Sequence, residues 1–201
     1  MTDPRSDTSP DTGQTNNSPD PSLPAWARRQ QDAANPLTDE RMMAFIGAKW
    51  PTYARKFEPF FKDPSFVPTW NWSAALFTSG WLLYRKLYLA AFSFMLFPGL
   101  AFRLLTGSDT QMTMTELQKP ENRGLMLTQI GVGVSVFIAS GGIGNWLLFR
   151  RAQAAVRIAL AQGLPKTEEL PWLERVGGIN KIGVALAVAV FVMSVYATMS
   201  A

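Results

Sequence analysis

The chain has 201 residues, no Cys, no His and a net charge of +4. Lacking those two residue types, it offers no disulfide framework, no thiolate nucleophile and no iron–sulfur site, and it also lacks the commonest general base and metal ligand. Through residue 72, eight Lys/Arg stand against nine Asp/Glu, so the N-terminal third is nearly neutral and a basic nucleic-acid arm is excluded.

Residues 1–37 carry six prolines among Ser, Asp and Asn, with too few large apolar side chains to offset the entropy of ordering. A disordered arm is expected there. No apolar run follows the start, so no cleavable signal is expected and the arm should stay cytoplasmic. Residues 38–72 read as amphipathic juxtamembrane helices. Thr38 before Asp39 and Glu40 is a helix start, and Met42, Met43, Phe45 and Ile46 give that helix an apolar face. Trp50-Pro51 restarts a helix with proline in its first turn. Tyr53, Phe57, Phe60 and Phe61 then form one face, opposite Arg55, Lys56, Glu58 and Lys62. Such a helix either packs on its neighbours or lies flat on a bilayer.

Residues 73–201 read as a membrane domain. Asn71 or Ser73 can cap a helix over 73–86, in which Phe77, Trp81, Tyr84 and Tyr88 fall on one continuous face. The apolar run to Tyr84 is too short to span, and Arg85 and Lys86 follow it at once. An aromatic stripe ending in two cations belongs at headgroup level, so this helix is expected to be interfacial, with Trp72, Phe77, Trp81, Tyr84, Arg85, Lys86 and Tyr88 meeting lipid headgroups. Arg85 is one turn from Trp81, within reach of a cation–π contact. Insertion of this segment as half of a hairpin is the alternative.

Three spans are expected, over about 87–105, 125–149 and 182–200. The first contains Pro98-Gly99, a predicted kink. The second is long enough to cross with tilt. Its Gly131, Ser135 and Ala139 form a small-residue stripe at four-residue spacing, with Gly141, Gly142 and Gly144 beyond it. Stripes of this kind allow close helix approach in lipid. Gly183 and Ala187 give the third span a similar face. Between the second and third spans, residues 150–181 form an amphipathic loop opening with Arg150 and Arg151. It starts as a continuing helix to Ala161 and adds a short helix capped at Thr167. That loop carries six Lys/Arg against three acids, whereas 103–124 carries three of each. By the positive-inside rule it lies in the cytoplasm, with the N-terminus inside and the C-terminus periplasmic. Its basic edge is expected to meet anionic headgroups.

The segment Asn71-Trp72-Ser73-Ala74-Ala75-Leu76-Phe77, followed by Trp81-Leu82-Leu83-Tyr84-Arg85-Lys86-Leu87-Tyr88, resembles the domain-of-unknown-function 2628 family of small bacterial inner-membrane proteins. Tyr53, Phe57 and Phe60 suit the aromatic lead-in common in that family. Leu87 stands where Met is usual, and Thr78-Ser79-Gly80 where a Gly-Pro-like element is common. The resemblance covers about residues 45–105 and implies a bacterial inner-membrane location. It implies no chemistry.

The carboxylates occupy the arm and loops, and Glu168 and Glu169, adjacent on a helix, do not aim at one point. Gly141-Gly142-Ile143-Gly144 follows no predicted strand and lacks the Lys-Ser/Thr of a phosphate loop. Asn145 is one of the few polar residues inside a span. It can hydrogen-bond across helices or line a path. The expectation is an all-α, non-enzymatic membrane protein without cofactor or metal. It would be an accessory or assembly subunit or a scaffold, and its partners would be lipid and other membrane subunits or itself. A small transporter or channel component acting as an oligomer is the alternative.

Overall fold

A computed structural model describes residues 36–62, 65–107 and 119–183, with 185, 188, 189, 192 and 193 beyond them. Among these residues all regular structure is helical. The arm 1–35, the loop 108–118, Ala187 and most of the expected third span lie outside the described residues.

Helix α1 is Asp39–Ile46 and starts where its sequence says it should: the Thr38 hydroxyl accepts from the Arg41 amide at 3.4 Å. Gly47 ends it at φ 81°, a conformation that excludes most side chains. Helix α2, Trp50–Lys62, carries Pro51 in its first turn, where no helical donor is lost. Helix α3 is Trp72–Tyr84, and the Asn71 side chain accepts from the Ala74 amide at 3.1 Å. Helix α4, Tyr88–Thr106, contains Pro98 and starts at Leu87 without a side-chain cap. A short 3-10 turn, Pro120–Asn122, leads into α5, Arg123–Ala161, which has 39 residues. Helix α6, Lys166–Val176, begins one residue before the expected cap Thr167, with Pro165 at its N-cap.

At about 1.5 Å per residue α5 is about 58 Å long, nearly twice the hydrocarbon thickness of a bilayer. Its two ends are packed differently. Its last turns bury Leu148, Phe149, Ala152, Ala155, Val156 and Ala159, on which α1, α2 and α6 pack. Phe57 lies at the middle of this head, fully buried, with its ring 5.4 Å from Phe149 and 5.5 Å from Tyr53. The face Tyr53, Phe57 and Phe60 is thus turned onto protein, which decides between the two readings of α2.

The other half is built differently. Helix α4 buries only Ala91. Leu89, Phe92, Leu96, Leu100 and Leu104 are all exposed, as are Leu127, Ile130, Val134 and Ile138 on α5. Both helices are long and apolar enough to cross a membrane.

Helix α3 departs most from expectation. Thr78 has φ 35° and ψ −107°, so the helix breaks in its middle. A helical wheel assumes constant rotation per residue, and the break cancels the face that Phe77, Trp81, Tyr84 and Tyr88 were to share. Phe77 is 68% exposed while Trp81 is only 5% exposed.

Candidate functional site

Two polar constellations join the elements, one inside the apolar zone and one at its edge. The inner one begins with the non-helical segment 66–71. Starting near the head, this segment runs down beside α5: Phe66 meets Trp146 at 5.7 Å and Trp70 meets Phe137 at 5.8 Å between ring centroids. Helix α3 then returns along α5 in the opposite sense. An added Cβ on Gly144 would lie 2.7 Å from the Ala74 Cβ, and one on Gly141 would lie 2.8 Å from the Trp70 ring. The close helix approach is therefore made at Gly141 and Gly144.

Non-helical backbone in an apolar zone leaves amide and carbonyl groups that must be satisfied by protein. Asn145, fully buried, meets that need. Its amide nitrogen donates to the Thr69 carbonyl at 3.3 Å, the Thr69 hydroxyl at 3.1 Å and the Trp70 carbonyl at 3.4 Å. Its oxygen accepts from the Asn71 side chain at 2.8 Å, and the Asn71 backbone N–H donates to the Gly141 carbonyl at 2.9 Å. Of the two roles open to Asn145 from sequence, bonding across elements is the one realised.

The outer constellation is built on helix C-termini. Helix α3 closes with the Lys86 N–H donating to Leu83 and the Leu87 N–H to Leu82, the paired bonds of a Schellman motif. Lys86 holds the left-handed position at φ 59°, where glycine is usual. The ends of α1, α3 and α6 converge here, each presenting carbonyls at the negative end of its dipole. Cations meet them. The Arg85 guanidinium donates to Ile46 O at 3.3 Å, and Lys86 Nζ donates to Arg175 O at 2.8 Å. Arg151 donates to Lys86 O and, at 3.3 Å, to Val176 O. Burial, and then the charge of Arg151, hold the Lys86 amine below the usual lysine range. The loop after α6 is tied in by Asn180, whose N–H donates to Tyr84 O at 2.8 Å and whose amide donates to the Tyr88 hydroxyl at 3.0 Å.

Several expected site residues are relocated. Arg85, 5% exposed, sits over the Tyr53 ring at 4.8 Å and the Tyr84 ring at 5.7 Å instead of Trp81, and both Arg85 and Trp81 are buried against protein. Trp72, Phe77, Tyr88 and Arg150 are exposed, while Tyr84, Lys86 and Arg151 are half-buried. Arg150 lies over Trp146 at 5.7 Å. Gly131, Ser135 and Ala139 are exposed, and nothing among the described residues lies within 4 Å of a Cβ added to Gly131. Gly183 lies against Asn180 of its own turn and meets no second span among the described residues.

Sequence reasoning missed the buried ion pair between Arg41 and Glu169, which fastens α1 to α6. Arg41 also donates to Pro36 O at 3.1 Å. Glu169 had read as an ordinary surface carboxylate. The available signal was its place beside Leu170, one turn before Leu173, on the side of α6 that meets the head.

No curated protein and no solved structure matches the chain. A family model described as protein of unknown function (DUF2628) matches residues 37–154. The match exceeds the stretch in which the resemblance was read, running on through α5 past Asn145 and Arg151. Spanning more than half of the sequence and every element that builds the two constellations except α6, it places this chain in the DUF2628 family.

Proposed function

We propose that this protein is an integral protein of the bacterial inner membrane, acting without enzymatic chemistry as an accessory or assembly subunit. The observation that carries the membrane reading is the outward-facing apolar surface of α4 and the first half of α5. In water such a surface, far larger than the few hundred Å² a soluble monomer tolerates, would drive aggregation. In lipid it is at rest.

On this reading the head and the Arg85–Lys86–Arg151 junction lie in the cytoplasm. Helix α4 crosses outward, α5 returns, and 182–200 forms a third span carrying the C-terminus to the periplasm. Residues 66–84 enter and leave on the cytoplasmic side as a re-entrant hairpin. Gly141 lies about 15 Å from Arg151 along the axis of α5, about half the hydrocarbon thickness. The stripe Gly131, Ser135 and Ala139 is exposed among the described residues, and its thin backbone suits close approach by a helix of another subunit or a second copy, which supports the assembly role.

Detergent-solubilised pull-down of the full chain with mass spectrometry tests this reading. A stoichiometric membrane partner whose recovery falls on Gly131→Leu is the expected result. Recovery of the chain alone and monomeric, whatever stands at position 131, would contradict it.

A further inference from the structure

Arg85, Lys86, Arg150 and Arg151 gather at the edge of the apolar zone, and none of them makes an ion pair among the described residues. Arg85 is buried among aromatic rings, and Arg150 is exposed over Trp146 with no bond to the helix ends among the described residues. Lys86 and Arg151 remain, half-buried and close enough for each charge to act on the other. Backbone carbonyls take one donor of the ammonium and two of the guanidinium, leaving two on the ammonium and two on the terminal nitrogens of the guanidinium, whose Nε is buried. The converging helix ends, at about half a negative charge each, offset the cations only in part, so a net positive field remains.

What lies beside the pair limits the anion. Leu89, three residues past Lys86, is 83% exposed, and Ile182, two residues past Asn180, is 82% exposed. These are the most exposed large apolar side chains among the described residues. A small soluble anion gains nothing from them. A ligand with a phosphate and hydrocarbon tails satisfies both halves of the surface at once.

We propose that Lys86 and Arg151 bind the phosphate of an anionic phospholipid, whose acyl chains run along the first turns of α4 beside Leu89 and Ile182. The site rests on the membrane reading above. It adds a specific lipid contact that also bridges the ends of α3 and α6, because each cation is already bonded to a carbonyl of that region.

The test uses the full chain in detergent, with lipid retention read by native mass spectrometry against phosphatidylglycerol and phosphatidylcholine. Phosphatidylglycerol should be retained preferentially. Lys86→Gln should reduce that preference about fivefold, the effect of one cation near an anionic surface. Arg157→Gln, an equal loss of charge on the exposed face of α5, should leave it unchanged, and Lys86→Arg should restore it. Equal retention of the two lipids by the unaltered chain would overturn the proposal without any variant. So would an equal effect of Arg157→Gln, or displacement of the lipid by glycerol phosphate, which would mark a site for a soluble phosphate. Carbonate extraction of cell membranes separates the two failures: a chain that extracts freely refutes the membrane reading, whereas one that stays embedded yet shows no lipid preference refutes only the site.

Discussion

Asn145 shows how one side chain can hold a non-helical segment inside an apolar zone. Its amide and carbonyl serve Thr69, Trp70 and Asn71 together, groups that neither a helix nor lipid would satisfy. Asn145→Leu keeps similar bulk and strands them, at about 1–3 kcal/mol for each group left buried without a partner. The expected outcome is a clearly lower thermal midpoint in detergent, with Asn145→Gln intermediate. An unchanged midpoint would mean that the segment does not depend on this residue. Glu169 makes a second case. Removing it breaks the buried pair with Arg41, so Glu169→Ala should cost about 3–5 kcal/mol. The double change to Arg41→Met and Glu169→Leu should recover most of that, as read by chemical unfolding of the head. Residue chemistry of this kind was only partly legible. Asn145 stood out as a lone amide in an apolar run, but its partners lie more than 70 positions away. Arg41 and Glu169, separated by 128 positions, offered no periodic signal linking them.

Among the elements, helix starts and lengths were the most legible feature. Thr38 and Asn71 cap as their side-chain chemistry requires, and the long apolar run of α5 continues into the amphipathic stretch to Ala161 as one helix. Orientation was legible only where rotation stays regular. The positive φ at Thr78 and Lys86 resets it twice within nine residues, turning Trp81 and Arg85 inward and leaving Phe77 and Tyr88 out. Small residues raised a related difficulty. The sequence marks Gly131 and Gly144 alike as thin backbone, and only the fold distinguishes the one that is occupied. Gly144→Ala would press a methyl to 2.7 Å from Ala74, whereas Gly131→Ala meets nothing within 4 Å. Gly144→Ala should therefore destabilise the chain by about 1–3 kcal/mol, the usual cost of overpacking, and Gly131→Ala should not change monomer stability. Detergent unfolding of both variants checks the contrast. Equal stability for the two would deny that α3 seats on Gly144.

On the proposed reading, the whole molecule combines two solvents along one helix. The last turns of α5 belong to an aromatic head with an ordinary buried core, and the first half presents its apolar side chains outward together with α4. The cation–carbonyl junction lies between these two parts, with its charged groups bonded to helix ends. The sequence carried this division in outline, as apolar runs bounded by Arg-Lys and Arg-Arg. It could not carry the descent of 66–71 and the return of α3, because nothing local distinguishes a helix lying on a membrane from one folded back into it.

The chain has no native Cys, so single-cysteine variants report membrane placement directly in intact cells and inverted vesicles. Arg157→Cys should react with a membrane-impermeant maleimide only from the cytoplasmic face. Met95→Cys on α4 and Trp72→Cys at the tip of the hairpin should resist it from both faces until the membrane is dissolved. Ready labelling of Met95→Cys in intact membranes, from either side, would contradict the claim that α4 has lipid for its solvent.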